Sequence, residues 1–116
     1  MRTAVAEKFR TQNKLPYQAE NIIISTGAKQ SLVNAIMSLV DPGDEVLIAA
    51  PYWVSYSEMV KLAEGVTVLI KTDADTGYKV TAEQLEASIT HKTKLFIFSS
   101  PSNPTGAMYS KEELDA

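Results

Sequence analysis

The run Lys94-Leu95-Phe96-Ile97-Phe98-Ser99-Ser100-Pro101-Ser102-Asn103-Pro104-Thr105-Gly106 couples apolar β-formers to a stiff polar loop. Asn103 stands in that loop between two prolines, and its amide can both donate and accept a hydrogen bond. Held on a rigid loop, such a group can fix a polar atom of a ligand; equally, it can cap a tight turn. Earlier in the chain, Thr26-Gly27-Ala28-Lys29 sets a glycine and a lysine ahead of a helical run. Gly27 lets the backbone approach a ligand closely, the N–H groups that open a helix favour an anion such as phosphate, and Lys29 adds positive charge. The stretch matches neither the P-loop nor the dinucleotide fingerprint, and a tight turn with an exposed lysine is the plainer alternative. Trp53, the single tryptophan, lies in the loop opened by Pro51-Tyr52. Its indole can stack on a flat ring or close the edge of a core. Tyr52 and Tyr56 read as packing residues. A phosphate seat, an aromatic platform and a positioned amide together suit a planar, phosphorylated heteroaromatic.

These loops need elements to hold them. Val5 and Phe9, four residues apart, give Arg2 to Thr11 a short amphipathic helix with no upstream element to pack on. Asn21 to Ser25 reads as a first strand, broken by Thr26-Gly27-Ala28-Lys29. Leu32, Val33, Ile36, Met37, Leu39 and Val40 fall at helical spacing, and Asp41-Pro42-Gly43-Asp44 ends that helix. Val46, Leu47 and Ile48 make a second, buried strand over Glu45 to Ala49, followed by a helix to Glu64 with Gly65 as its C-cap. A third strand covers Val66 to Ile70, Asp73 to Gly77 turn the chain, and Thr81-Ala82-Glu83-Gln84 is a capping box for a helix carrying Leu85 and Ile89. The fourth strand, Lys94 to Phe98, has the continuous apolar run expected of burial on both faces. Ser110-Lys111-Glu112-Glu113 then opens a last helix through a second capping box. Strands alternating with helices predict an α/β fold with a mostly parallel sheet, its strand-to-helix loops along one edge. Ligands bind at that edge in open α/β sheets.

The totals narrow the function classes. A chain of 116 residues has room for about one domain. It is 45% hydrophobic and 22% charged, which argues against disorder. Net charge is −3 and the basic residues are scattered, so no nucleic-acid footprint is expected. With no cysteine and only His91, neither a disulfide framework nor a thiolate or histidine metal site can be built. No apolar run is long enough to span a bilayer, and the polar N-terminus is unlike a secretory signal. A reducing compartment, the cytoplasm, is the expectation.

Four blocks in order carry a resemblance. Gly27-Ala28-Lys29-Gln30-Ser31-Leu32, Asp41-Pro42-Gly43-Asp44-Glu45-Val46, Pro51-Tyr52-Trp53-Val54-Ser55-Tyr56 and Ser100-Pro101-Ser102-Asn103-Pro104-Thr105-Gly106 resemble class I aminotransferases, fold-type I pyridoxal-phosphate enzymes, most of all the bacterial aspartate aminotransferase branch. The likeness runs from about Met1 to the end of the chain. It implies a three-layer αβα architecture, with residues 1–116 forming part of the large, cofactor-binding domain. It implies pyridoxal 5'-phosphate as cofactor, amino acid and 2-oxo acid as substrates, and a homodimeric parent. Gly27, Ala28 and Lys29 then fall where the cofactor phosphate is held, Trp53 where a ring stacks on the pyridine, and Asn103 where an amide bonds the phenolic oxygen. It also implies cis peptides at Ala50–Pro51 and Asn103–Pro104. The family is several times longer. Its Schiff-base lysine, its aspartate for the pyridinium nitrogen and its substrate-binding arginines come later or from the partner subunit. None of the nine lysines here stands in the Schiff-base motif, and Arg2 and Arg10 match no substrate site. The chain is therefore expected to be a fragment, inactive alone. The alternatives are a non-catalytic phosphate- or cofactor-binding domain that keeps only the fold, and a generic nucleotide binder, which the absence of Gly-x-Gly-x-x-Gly disfavours.

Overall fold

A computed structural model describes residues 1–115, arranged as two compact units that divide between Leu32 and Val33. In the first unit, α1 (Arg2–Lys8) continues into a wider π-type turn over Phe9–Asn13. Lys14 leaves that turn in a left-handed conformation, φ 59°. The amphipathic helix finds its cover downstream: Ala6 is buried, and Phe9 meets the ring of Tyr17 edge-on at 6.2 Å. Asn21 to Ser25 is not a strand. Ala19–Asn21 forms one turn of 3-10 helix, and residues 22–25 carry no regular structure. The reason is pairing: a strand needs a neighbour for its N–H and C=O groups, and among the described residues the sheet consists of other segments. Of the three isoleucines only Ile22 is buried, while Ile23 is 85% exposed.

α2 (Ala28–Leu39) starts directly after Gly27, ahead of the first apolar residue of its run, Leu32. It buries Ile36. Asp41-Pro42-Gly43-Asp44 then turns the chain as expected: Gly43 adopts φ +88°, the Asp44 N–H donates to the Asp41 carbonyl at 3.0 Å, and the Asp44 carboxylate accepts from the Asp41 N–H.

Three strands build the sheet of the second unit: β1 (Glu45–Ala50), β2 (Val66–Lys71) and β3 (Thr93–Ile97). All pairings are parallel, in the order β2-β1-β3. Val46 faces Thr67 and Leu95 across the sheet, and Leu47 faces Val68 and Phe96. Val46, Leu47 and Ile48 are fully buried, because the central strand is covered on both faces. The same burial does not extend to β3. Leu95 and Phe96 are only half-buried and Phe98 lies outside the strand, 41% exposed, because among the described residues β3 has a single neighbour.

Helices α3 (Ser55–Leu62) and α4 (Ala82–Ser88) connect these strands. α3 buries Tyr56, Met59 and Val60. It ends in a reciprocal pair of bonds, Gly65 N–H to the Val60 carbonyl and Glu64 N–H to the Lys61 carbonyl. The left-handed residue of that motif is Glu64, φ 59°, rather than the expected Gly65. Gly65 has a steric role instead, since a Cβ there would stand 2.7 Å from the Val40 side chain. At the head of α4, Thr81 and Gln84 bond each other's backbone N–H groups, so the first capping box forms as the spacing predicts. Ser110 and Glu113 do the same ahead of α5 (Lys111–Asp115). Among the described residues no helix is long and apolar enough to cross a membrane.

Candidate functional site at the carboxyl ends of β1 and β3

The strand order reverses around β1: the chain leaves it for β2 on one side and returns through β3 on the other. The crevice between the carboxyl ends of β1 and β3 is thus a topological switch point, where loops part and leave room for a ligand. Both loops that reach it are stiffened by proline. Ala50–Pro51 and Asn103–Pro104 are cis, in agreement with the resemblance, and Ser100–Pro101 is cis as well.

One cleft lies there, lined from the β1 side by Ala49, Pro51 and Tyr52 and from the β3 side by Ser99, Ser102 and Asn103. Its floor is apolar, from Tyr56 and Ile97, and Tyr78 and Tyr109 close its flank. It offers about 10 Å³, the room of roughly one water. The cleft is too small to enclose a ring. Asn103 is exposed there. Its loop is closed by two bonds of 2.8 Å, Ser102 N–H to the Ala107 carbonyl and Gly106 N–H to the Ser102 carbonyl, and its own N–H reaches Ser99 Oγ at 3.3 Å. The backbone around Asn103 is thus tied by three bonds, and the residue itself is exposed at the cleft lining.

Trp53 follows Tyr52 but is not part of the cleft lining. It is half-buried, its ring edge-on to Tyr56 at 5.6 Å, and its carbonyl accepts the Tyr56 N–H as α3 begins. Tyr56 is buried as the packing residue expected of it, and both Tyr56 and Tyr52 line the cleft.

Gly27, Ala28 and Lys29 belong to the first unit, and all three are exposed. Gly27 adopts φ +94°, a conformation that costs other residues strain, and thereby turns the chain into α2 at Ala28. Gln30 steadies the turn, its side-chain oxygen accepting from both the N–H and the hydroxyl of Thr26 at 2.6 and 2.5 Å. What precedes this turn is irregular chain rather than a strand, but the opening of a helix of 12 residues is present as read. The donor types suit the implied cofactor: helix-start amides and a lysine for a phosphate, an indole for a ring, an amide for a phenolic oxygen.

Two cleft residues escaped the sequence reading, Tyr78 and Tyr109. Tyr78 holds φ 58°, with its N–H bonded to the Asp73 carbonyl at 2.7 Å and Asp73 Oδ1 accepting from the N–H groups of Asp75 and Thr76. Its signal was the Asp-rich turn ending in Gly77. The Tyr109 hydroxyl accepts the Val80 N–H at 2.8 Å. Nearby, Lys79 pairs with Glu113, and this bond, with the Ser110 N–H, holds the Glu113 carboxyl below its ordinary value.

A parallel sheet joined by helices, with polar loops at a switch point, is an α/β domain of the kind whose ligands bind at the carboxyl ends of the strands. The chain belongs to the family "Aminotransferase class I and II", whose model matches residues 1–116. It is 53% identical over its whole length to an aspartate/prephenate aminotransferase of Cereibacter sphaeroides, of which it covers 29%. Against the crystal structure of the aspartate aminotransferase from Rhizobium meliloti the TM-score is 0.94 at 50% identity, covering 98% of this chain and 28% of that one. Against the Thermus thermophilus aspartate aminotransferase with maleate it is 0.94 at 46% identity, covering 98% and 30%. The chain thus spans less than a third of the length of the relatives it matches.

Proposed function

We propose that this chain is part of the large, cofactor-binding domain of a pyridoxal-phosphate-dependent aminotransferase of the aspartate type. The whole protein moves an amino group from an amino acid to a 2-oxo acid. Gly27, Ala28 and Lys29 hold the cofactor phosphate, Trp53 lies against the pyridine ring, and Asn103 bonds the phenolic oxygen. The cofactor, when bound, supplies an electron sink for the carbanion formed on the amino acid. The chain's own residues bind and orient it and tune the proton affinity of its phenolic oxygen. The observation that carries this reading is the 53% identity to an aspartate/prephenate aminotransferase across all 116 residues, every candidate loop included. The three-layer architecture, the homodimer and the cytoplasmic location implied by the resemblance belong to the same proposal.

The test is a coupled assay on the purified whole protein with aspartate as amino donor and either 2-oxoglutarate or prephenate as acceptor. Turnover with either acceptor is expected. Saturation with pyridoxal phosphate and no amino transfer from aspartate would overturn the activity and favour a cofactor-binding domain without chemistry.

A further inference from the structure

Tyr109 occupies an unusual position among the contacts of the β3 loop. Its hydroxyl accepts the N–H of Val80, 29 residues away in sequence, at 2.8 Å in a partly buried setting. Its own N–H donates to Ser100 Oγ at 3.0 Å. Its ring packs edge-on against Phe98 at 5.3 Å, and Phe98 stacks in turn on Phe96 of β3. One residue therefore ties both ends of the loop that carries Asn103 to the segment leading into α4. The inner loop is closed upon itself by the bonds between Ser102, Ala107 and Gly106, which make one body of it. Such a body is located by its anchors. At its base are Ser99 and Ser100, and at its far end is Tyr109, which shares the cleft with Asn103 and Ser102.

We infer that Tyr109 is a positioning residue: through the Val80–Tyr109 hydroxyl bond and the Tyr109–Ser100 bond it sets where Asn103 presents its amide. The inference rests on the proposed role of Asn103 toward a pyridoxal-phosphate phenolic oxygen. An amide N–H donated to that oxygen stabilises its deprotonated form. Displacing the amide lets the oxygen's proton system hold on to higher pH, so the pH midpoint of the bound cofactor's absorbance moves upward.

The experiment compares Tyr109→Phe, Asn103→Ala and the double variant in the cofactor-loaded whole protein, by hydrogen exchange and by absorbance against pH. Phenylalanine keeps the ring contact with Phe98 and removes only the acceptor of the Val80 N–H. Amides of Val80 and of residues 99–107 are expected to exchange about tenfold faster, the loss of roughly one net hydrogen bond. The absorbance midpoint is expected to rise in Tyr109→Phe and in Asn103→Ala, with the double variant no higher than Asn103→Ala alone, because the two changes act on one contact. Ser100→Ala, at an exposed position, repeats the test through the second tie should Tyr109→Phe not fold. A lower melting temperature with exchange of residues 99–107 and the midpoint both unchanged would reduce Tyr109 to a packing residue and overturn the inference. An unmoved midpoint in Asn103→Ala, with faster loop exchange in Tyr109→Phe, would instead overturn the cofactor role of Asn103, and with it any role of Tyr109 toward the cofactor.

Discussion

Purified alone and supplied with pyridoxal phosphate, the 116-residue chain is expected to turn over no amino acid. The reason is a matter of which groups are present. Transamination with this cofactor uses a lysine that bonds the cofactor covalently and a partner for the pyridinium nitrogen. By the family resemblance both lie outside these residues, and Lys29 stands in the turn proposed to hold the cofactor phosphate. The chain covers 29% of the aspartate/prephenate aminotransferase it matches, which leaves room for both groups elsewhere. Enzymes accelerate their reactions by about 10⁶-fold or more. The expected contrast between whole protein and isolated chain is correspondingly large: the chain should not exceed free cofactor in buffer. Oxo-acid formation from aspartate or alanine by the isolated chain, above that background, would show that a lysine within these residues does the work.

The second large effect concerns the sheet that carries the loops. Leu47 is fully buried in the middle of β1, opposite Val68 on one side and Phe96 on the other. Leu47→Ala removes apolar surface and leaves a cavity where strands on both sides are fixed by their own hydrogen bonds and cannot collapse inward. The cost is expected to be about 2–5 kcal/mol, a large part of the stability of any domain. Ile23→Ala, at a position 85% exposed, is expected to stay within about 0.5 kcal/mol. Urea denaturation followed by circular dichroism reads both. A Leu47→Ala loss no larger than that of Ile23→Ala would mean that β1 does not sit at the centre of the sheet.

The two residues also show what the sequence could and could not convey. β1 was legible because Val46, Leu47 and Ile48 are apolar without a break, as a central parallel strand requires. Ile22, Ile23 and Ile24 are just as apolar, yet the sheet does not include them. A strand is defined by its neighbour, and nothing within five residues states whether a neighbour exists. β3 differs in a milder way: its apolar run is real, but among the described residues it has one neighbouring strand, and Phe98 is half in the open. Capping boxes at Thr81 and Ser110 were readable because both partners lie within one turn of helix. The left-handed Glu64 was not, because Gly65 beside it is the residue that prefers that conformation, whereas at Gly65 it is the space a Cβ would need that is taken by Val40.

For the site, Asn103, Trp53 and the Gly27 turn stood out by residue type. Tyr78 and Tyr109 did not, since a tyrosine carries no local signal of the loop it will meet. The Val80–Tyr109 bond joins residues 29 apart, and only the fold brings them together. The cis peptides at Ala50–Pro51 and Asn103–Pro104 followed from the resemblance, whereas that at Ser100–Pro101 came only with the structure.

The most direct test of the site is a crystal structure of the whole protein with pyridoxal phosphate bound. The pyridine ring is expected against the indole of Trp53, the Asn103 amide within hydrogen-bond distance of the phenolic oxygen, and the phosphate on the backbone N–H groups that open α2 beside Lys29. A cofactor bound elsewhere, with Trp53 and Asn103 touching neither ring nor phenolic oxygen, would contradict it.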